Sequence, residues 1–339
     1  MSKINLGIFG CGGATFCIHL PALLRLSDFF NIKLIYDIDS ERANIIAGKI
    51  SNSKVCSDPQ QIFQDKTIDM VVILSPNHES LINYSLDAGK HVFTEKPISL
   101  DIDYSKRLVK KAKDLKLVLE VGLMRSHDKV IKSFFDKVLS KDVVSGFFYK
   151  ADGSDQIIRE VIMPRQLKAY NFSKIDLPIE PSGISKKGLD VLKKLLWSGI
   201  HLITVICDYF DDLEVVFCEI NYTGKSMSCI LSTQNNQQFL LNISETKVLS
   251  YSERIRFVGQ NFMGELEFTS PYLSDNYTKA KIVNDKCIET AFDHQGDYKS
   301  SFISMWENIF KNVKSGKQSK SAELALRVEK IARAAAEIC

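Results

Sequence analysis

The 339-residue sequence predicts an α/β protein of two domains: a doubly wound parallel sheet in residues 1–122, then an α+β domain with an open, mostly antiparallel sheet in 123–339. Three observations predict it. The apolar run Ile4 to Phe9 passes at once into Gly10-Cys11-Gly12-Gly13-Ala14-Thr15 and then a helical segment around His19 to Leu26. Met70 to Leu74 is uninterruptedly apolar, as in a parallel strand buried on both faces. From Leu213 onward the pattern alternates with a period of two, as in strands with one apolar face.

Size and charge narrow the class. A single core stops growing at roughly 250 to 300 residues, so a chain of this length is expected to divide. With 44 basic against 41 acidic residues, the net charge of +3 carries no footprint for nucleic acid. The lysines of Lys106 to Lys116 read as a solvated helix face. The eight cysteines form no CxxC pair and mostly sit in apolar runs, which suits a reducing cytoplasm. Ile4 to Phe9 is only strand-length, unlike the core of a signal peptide, and no run approaches the roughly 20 apolar residues of a membrane span. A cytoplasmic protein without membrane partners is therefore expected.

In the first element, glycines permit a tight turn and let backbone N–H groups approach a pyrophosphate seated on the helix N-terminus. Gly10, Gly12, Gly13 and Ala14 are the candidate contacts. Thr15 occupies the third small position, where Gly or Ala is usual, so slightly looser helix–strand packing is expected. The next strand, Ile32 to Tyr36, ends in Asp37, where a dinucleotide fold places the acid that binds the adenosine ribose; a carboxylate there repels a 2′-phosphate. NAD is thus expected over NADP, although Arg42 lies five residues on, within reach of a phosphate. The alternative for Asp37 is a capping acid for the helix Ser40 to Gly48. After Met70 to Leu74, Ser75-Pro76-Asn77 forms a strand-to-helix turn over the cofactor, and His78 reads as a solvated helix-start residue. A helix Glu79 to Ala88 then leads to Gly89-Lys90 and the short strand His91 to Thr94, which runs directly into Glu95-Lys96-Pro97. An acid and a base are thereby fixed at a strand's carboxyl end, where open α/β sheets bind ligands.

Gly10-Cys11-Gly12-Gly13, His19-Leu20-Pro21-Ala22-Leu23, Pro76-Asn77 and above all Ala88-Gly89-Lys90-His91-Val92 with Glu95-Lys96-Pro97 resemble the glucose-fructose oxidoreductase, inositol dehydrogenase and MocA (Gfo/Idh/MocA) family. The resemblance implies an N-terminal Rossmann domain, a C-terminal domain with an open sheet, and NAD(P)-dependent oxidation or reduction of sugars, cyclitols or nucleotide-linked sugars. It also implies that Lys96 lies between nicotinamide and substrate, and that Pro97 follows a cis bond. Chemistry supports Lys96 independently: an ammonium at the nicotinamide edge stabilises alkoxide character and polarises a carbonyl in the reverse direction. Glu95 is expected to hold Lys96 in place, and both are candidate cofactor contacts.

Asp101 to Lys113 is expected to form an amphipathic helix with Tyr104, Leu108, Ala112 and Leu115 on its apolar stripe. The strand Leu117 to Val121 closes the domain. Gly122 to Asp128 resembles the family's crossover segment, with Ser126 where arginine is usual. Arg125 is a candidate substrate contact or half of a structural ion pair. From Val143 strands alternate with polar interruptions, and Gln156 to Gly188 reads as loops and short elements; Asp152, Asp155 and Arg159 are either cleft residues or solvated loop residues.

Leu189 to Phe210 is helical by period, with Leu189, Leu192, Leu196, Ile203 and Phe210 on one face. Trp197 to Thr204 is similar to the family's Asp-x-Gly-x-His-x-x-Asp segment: Gly199 and His201 match, while Trp197 and Thr204 replace both acids. His201 is the candidate base for a hydroxyl proton, the alternative being a core histidine. Trp197 is a candidate substrate contact that alters pocket polarity. An antiparallel meander is expected over Leu213–Tyr222, Met227–Thr233, Gln238–Glu245 and Glu253–Val258, with Gly264 to Phe268 as the last strand and Pro271 to Tyr277 near the cleft. Helices after Tyr298 are expected to pack back on the first domain. By analogy the protein is expected to be a homodimer or homotetramer.

The reading is an NAD-dependent oxidoreductase acting on a carbohydrate-like alcohol or ketone, with Lys96 and His201 catalytic and no metal. Its rival, motivated by the two missing acids, is a non-catalytic NAD-binding sensor. A third reading is reduction of an imine, enamine or conjugated system, with Trp197 stacking.

Overall fold

In a computed structural model, the residues described are 2–76, 78–138, 142–153, 161–168, 180–248, 251–273, 277–286, 289–292 and 299–339. The chain divides into two compact units. The first comprises Met1–Gly122, Arg159–Glu180 and Phe302–Ala325; the second comprises Leu123–Ile158, Pro181–Ser301 and Leu326–Cys339.

The first unit is built on a six-stranded sheet of β1 (Ile4–Phe9), β2 (Phe30–Tyr36), β3 (Lys54–Val55), β4 (Met70–Ile73), β5 (His91–Thr94) and β6 (Leu119–Val121). Its order is β3-β2-β1-β4-β5-β6 and every pairing is parallel. The chain thus winds outward in both directions from β1 and β4. In register, Tyr36, Phe9, Ile73, Thr94 and Val121 form one row. The next residues continue it: Gly10 N–H donates to Tyr36 O, Leu74 to Phe9, Glu95 to Ile73 and Gly122 to Thr94, at 2.7–3.1 Å. Five strands therefore end level, and the loops that follow them leave from one edge.

The amphipathic helix spans Ile102–Asp114, capped by Asp101, whose carboxylate accepts from the N–H groups of Asp103 and Tyr104. Its buried stripe is Ser105, Leu108, Val109 and Ala112. Leu115 is exposed, because Leu115 falls past the last helical turn rather than on the stripe. Helix Ser301–Ser315 brings fully buried Trp306 against Phe30 and Phe93, with ring centroids at 5.4 and 4.6 Å. Buried Glu120 of β6 accepts from Asn312 Nδ2, Ser319 Oγ and Ser321 Oγ, which binds the start of helix Ser321–Ile338 to the sheet. Burial raises the Glu120 pKa despite these donors.

The second unit carries an eight-stranded sheet: β7 (Val143–Asp152), β8 (Glu214–Ile220), β9 (Ser226–Ser232), β10 (Gln238–Glu245), β11 (Ser252–Gly259), β12 (Phe262–Phe268), β13 (Thr278–Asn284) and β14 (Glu289–Phe292). Its order is β14-β13-β12-β11-β7-β10-β9-β8. The expected meander is interrupted: β7 lies between β11 and β10, parallel to β10 and antiparallel to β11. Gly264 to Phe268 belongs to β12 and is not the last strand, since β13 and β14 extend the sheet beyond it. The alternation of each strand marks its wet and dry faces but does not specify its neighbour, so the pairing is settled by the whole sheet. Phe134, Phe135, Phe148, Phe210, Phe239 and Phe257 interlock beneath it, and Phe135 stacks on Tyr209 at 3.7 Å. Continuous helical backbone runs from Lys186 to Tyr209, with a π-helical turn at Leu195–Gly199.

Candidate active site

The level strand ends of the first sheet place Gly10, Asp37, Ser75, Glu95 and Gly122 on one edge. Gly10 has φ +93°, and a Cβ there would lie 2.7 Å from the Ser75 nitrogen, so only glycine fits between β1 and β4. Helical backbone begins at Gly13, and no side chain caps Ala14. Thr15 is fully buried and its hydroxyl donates to Gly10 O at 2.6 Å, so the larger residue ties helix to turn. Asp37 Oδ2 accepts from the Cys11 N–H at 2.6 Å and Oδ1 from Asp39 N–H at 2.9 Å. The helix Ser40–Ala47 is capped by Asp39, which leaves Asp37 facing the glycine turn. Arg42 is 4% exposed and donates to Leu167 O at 2.6 Å.

These residues fit a dinucleotide. The turn has no room for a side chain at Gly10, a helix starts directly after it, and a carboxylate stands at the end of β2. Cys11 is buried, and burial pushes its thiol pKa well above the ordinary value, so it takes no part as a nucleophile.

Ser75 and Pro76 follow β4; Asn77 lies outside the described residues. His78 is buried rather than solvated, with Nδ1 3.1 Å from the Ser75 carbonyl and Nε2 against the Pro97 carbonyl. Its imidazole therefore joins the turn after β4 to the turn after β5, where the Lys96–Pro97 peptide is cis. Lys90 and His91 are structural. Lys90 Nζ donates to the carbonyls of Asp65 and Ile68, and His91 Nδ1 accepts from Val118 N–H.

Glu95 is fixed from below. His19, fully buried, donates from Nε2 to Glu95 Oε1 at 2.8 Å, and Trp306 Nε1–H donates to His19 Nδ1 at 3.3 Å. The other carboxylate oxygen accepts from the Lys96 backbone N–H at 3.2 Å. A Cβ on Gly122 would meet Glu95 Oε1 at 3.0 Å, so the glycine after β6 makes room for the carboxylate. Burial raises the Glu95 pKa, but the His19 hydrogen bond and the Lys96 charge outweigh it, and the net shift is downward. Glu95 is therefore bound to His19 and to the Lys96 backbone. Sequence reasoning missed His19, His78 and Trp306; a histidine at the mouth of an apolar helix, and one of only two tryptophans, were the available signals.

Arg125, Trp197 and His201 belong to the second unit. Arg125 is 2% exposed, ion-paired to Glu253 at 3.2 Å and stacked over Phe268 at 3.9 Å, so the structural ion pair is the arrangement present. Trp197 is 51% exposed on the π-helical turn. His201 is buried one turn further on, and the Thr204 hydroxyl donates back to Ile200 O at 2.7 Å. Beside Trp197, the Ser198 hydroxyl donates to Asp152 Oδ2 at 2.8 Å, and Lys150 Nζ reaches Ser198 O at 3.1 Å and Asp152 at 3.3 Å. Asp155 and Arg159 lie outside the described residues. Among the described residues no group of three His, Cys, Asp or Glu side chains is placed to hold a metal ion, and no helix is long and apolar enough to cross a membrane.

Residues 4–123 match the model of an oxidoreductase family with an NAD-binding Rossmann fold, Gfo/Idh/MocA. The chain is 27% identical to an inositol 2-dehydrogenase/D-chiro-inositol 3-dehydrogenase of Lacticaseibacillus casei, over 71% of this chain and 78% of that protein. It is 23% identical to a myo-inositol 2-dehydrogenase of Thermotoga maritima, over 92% and 89%. Among solved structures, a 3-ketoreductase from Actinomadura kijaniata in complex with NADP superposes with a TM-score of 0.74 at 18% identity, covering 98% of this chain and 96% of that one. A UDP-N-acetylglucosamine 3-dehydrogenase from Acidithiobacillus ferrooxidans gives a TM-score of 0.74 at 16% identity, covering 99% of each. Residues 4–123 thus match the NAD-binding Rossmann domain of the Gfo/Idh/MocA oxidoreductases, and inositol dehydrogenases align over most of the chain's length.

Proposed function

We propose that the protein is an NAD-dependent dehydrogenase or reductase acting on a secondary alcohol or ketone of a sugar, cyclitol or nucleotide-linked sugar. The observation that carries this reading is the position of Lys96, which leaves the end of β5 on the same edge as Gly10 and Asp37. The nicotinamide, when bound, supplies or accepts the hydride. Gly10, Gly12, Gly13 and Ala14 present backbone to the pyrophosphate, Asp37 accepts from the ribose hydroxyls, and Ser75 and Pro76 border the cofactor. Lys96 donates to the substrate oxygen and stabilises its developing negative charge. His201 takes or returns the hydroxyl proton, the role an imidazole fills best near neutrality. Trp197 offers an aromatic face to an apolar sugar face. The dehydrogenase names among the relatives favour this substrate class.

Preference for NAD follows from Asp37, whose carboxylate disfavours a 2′-phosphate, and from the commitment of Arg42 to Leu167. Reduced-nicotinamide absorbance with a panel of inositols, keto-sugars and UDP-sugars tests the substrate class, and parallel titrations with NAD and NADP test the cofactor. Turnover of a panel member with tighter NAD binding is expected; tighter NADP binding overturns the cofactor assignment. One observation favours a second reading, an NAD-binding sensor: Trp197 and Thr204 replace both acids of the helix, and the Thr204 hydroxyl is spent on Ile200 O. Cofactor binding without turnover across the panel is the outcome that reading predicts.

A further inference from the structure

The first unit contains a chain of polar side chains that runs from its buried interior to the end of β5. It begins at Trp306 on helix Ser301–Ser315, passes through His19 at the end of the π-helical turn Thr15–His19, and ends at Glu95. Trp306 and His19 are both fully buried, and the His19 ring is walled by Phe93, Phe302 and Trp306 at centroid distances of 5.2, 6.0 and 5.9 Å. Indole N–H is only a donor, so Trp306 fixes His19 Nδ1 as the acceptor and sets the ring hydrogen on Nε2. That hydrogen points at Glu95 Oε1, 2.8 Å away. The titratable groups acting on Glu95 are His19 and Lys96. A carboxylate in such a place keeps its charge only while donors satisfy it.

We propose that His19 is a positioning residue for hydride transfer: its Nε2–H holds the Glu95 carboxylate charged and directed, and Glu95 in turn holds the turn from which Lys96 reaches the substrate oxygen. Trp306 serves the same end by selecting the imidazole tautomer. The inference rests on Lys96 being the group that polarises that oxygen. It assigns a mechanistic reason to a histidine and a tryptophan that are both fully buried. An apolar residue at His19 leaves the partly buried Glu95 carboxylate with only the Lys96 backbone N–H as donor, which Glu95 relieves by taking up a proton.

The test uses the full-length protein with NAD and two substitutions, His19→Leu and His19→Gln; the glutamine amide keeps an N–H donor in place of Nε2–H. Infrared difference spectra at neutral pH read the charge of Glu95 without any substrate. A protonated-carboxyl band is expected in His19→Leu, absent from wild type, from His19→Gln and from His19→Leu/Glu95→Gln. With the panel substrate turned over fastest, kcat of His19→Leu is expected to fall on the order of tenfold or more, the size of a hydrogen bond to a charged group, while KM for NAD stays near wild type. His19→Gln is expected to recover most of kcat. If His19→Leu folds and shows no such band, the relay is overturned, whatever the kinetics; equal losses in His19→Leu and His19→Gln overturn it as well. Should the leucine variant fail to fold, Trp306→Phe, which keeps the ring and loses the N–H, is read in the same two ways. Full activity in Lys96→Ala overturns the reading of Lys96 itself, whereas an inactive Lys96→Ala with unaltered His19 variants overturns only the relay.

Discussion

Removing the Glu253 carboxylate should destabilise the second unit by stranding a buried charge. Glu253 on β11 is paired in register with Lys150 on β7, and its side chain is 0% exposed. It accepts from Arg125 Nη2 at 3.2 Å and from the Tyr251 hydroxyl, while the Arg125 side chain is 1% exposed and lies over the Phe268 ring. Glu253→Ala therefore leaves a guanidinium in a dry site with no counter-charge, and breaking one side of a buried pair costs about 3–5 kcal/mol. Replacing both partners by apolar residues of similar volume, Arg125→Met with Glu253→Leu, removes the stranded charge and should restore most of that loss. Urea denaturation of Arg125→Met, Glu253→Leu and the double variant gives the coupling energy directly, provided the m-values agree. Single variants within about 0.5 kcal/mol of wild type would refute the argument, since such values are ordinary for uncoupled surface positions. So would an Arg125→Met protein of full stability and no turnover, which would place Arg125 at the substrate.

Gly10→Ala should lose cofactor binding and thermal stability together. Its φ of +93° costs an L-residue about 1–3 kcal/mol before the overlap with the Ser75 nitrogen is counted; unchanged NAD affinity and an unchanged melting temperature would contradict this. Acid should weaken the fold through His127, which burial pushes down to about 4 from 6.5. The unfolded chain takes up the proton first, so this stability is present above pH 6.5 and is lost as pH falls toward 4, about 3 kcal/mol in all. A His127→Gln variant should show a flatter urea midpoint across that window, and parallel curves would exclude the assignment.

The nucleotide-binding half was legible because its signals are local. A strand, glycines and a helix follow one another, and Asp37 and Lys96 each stand one or two residues past a strand. Helix Ile102–Asp114 was equally legible, though its stripe shifted by a residue because Leu115 lies past the last turn. What could not be read were partners distant in the chain. His78 looked like a solvated helix start, yet it sits between carbonyls of Ser75 and Pro97, nineteen residues away from the latter. The link between His19 and Trp306 spans 287 residues. The position of β7 inside the second sheet is a fact of pairing, and alternation records only faces. Arg125 left both readings open in sequence because its partner, Glu253, is 128 residues away.

The central claim is that Lys96 polarises the reacting oxygen, and Lys96→Ala tests it most directly. NAD binding by titration and turnover by reduced-nicotinamide absorbance are measured on the same sample. Retained NAD affinity is expected with kcat lowered about a hundredfold or more, the loss typical of removing one donor to a developing oxyanion. Turnover equal to wild type would contradict the account.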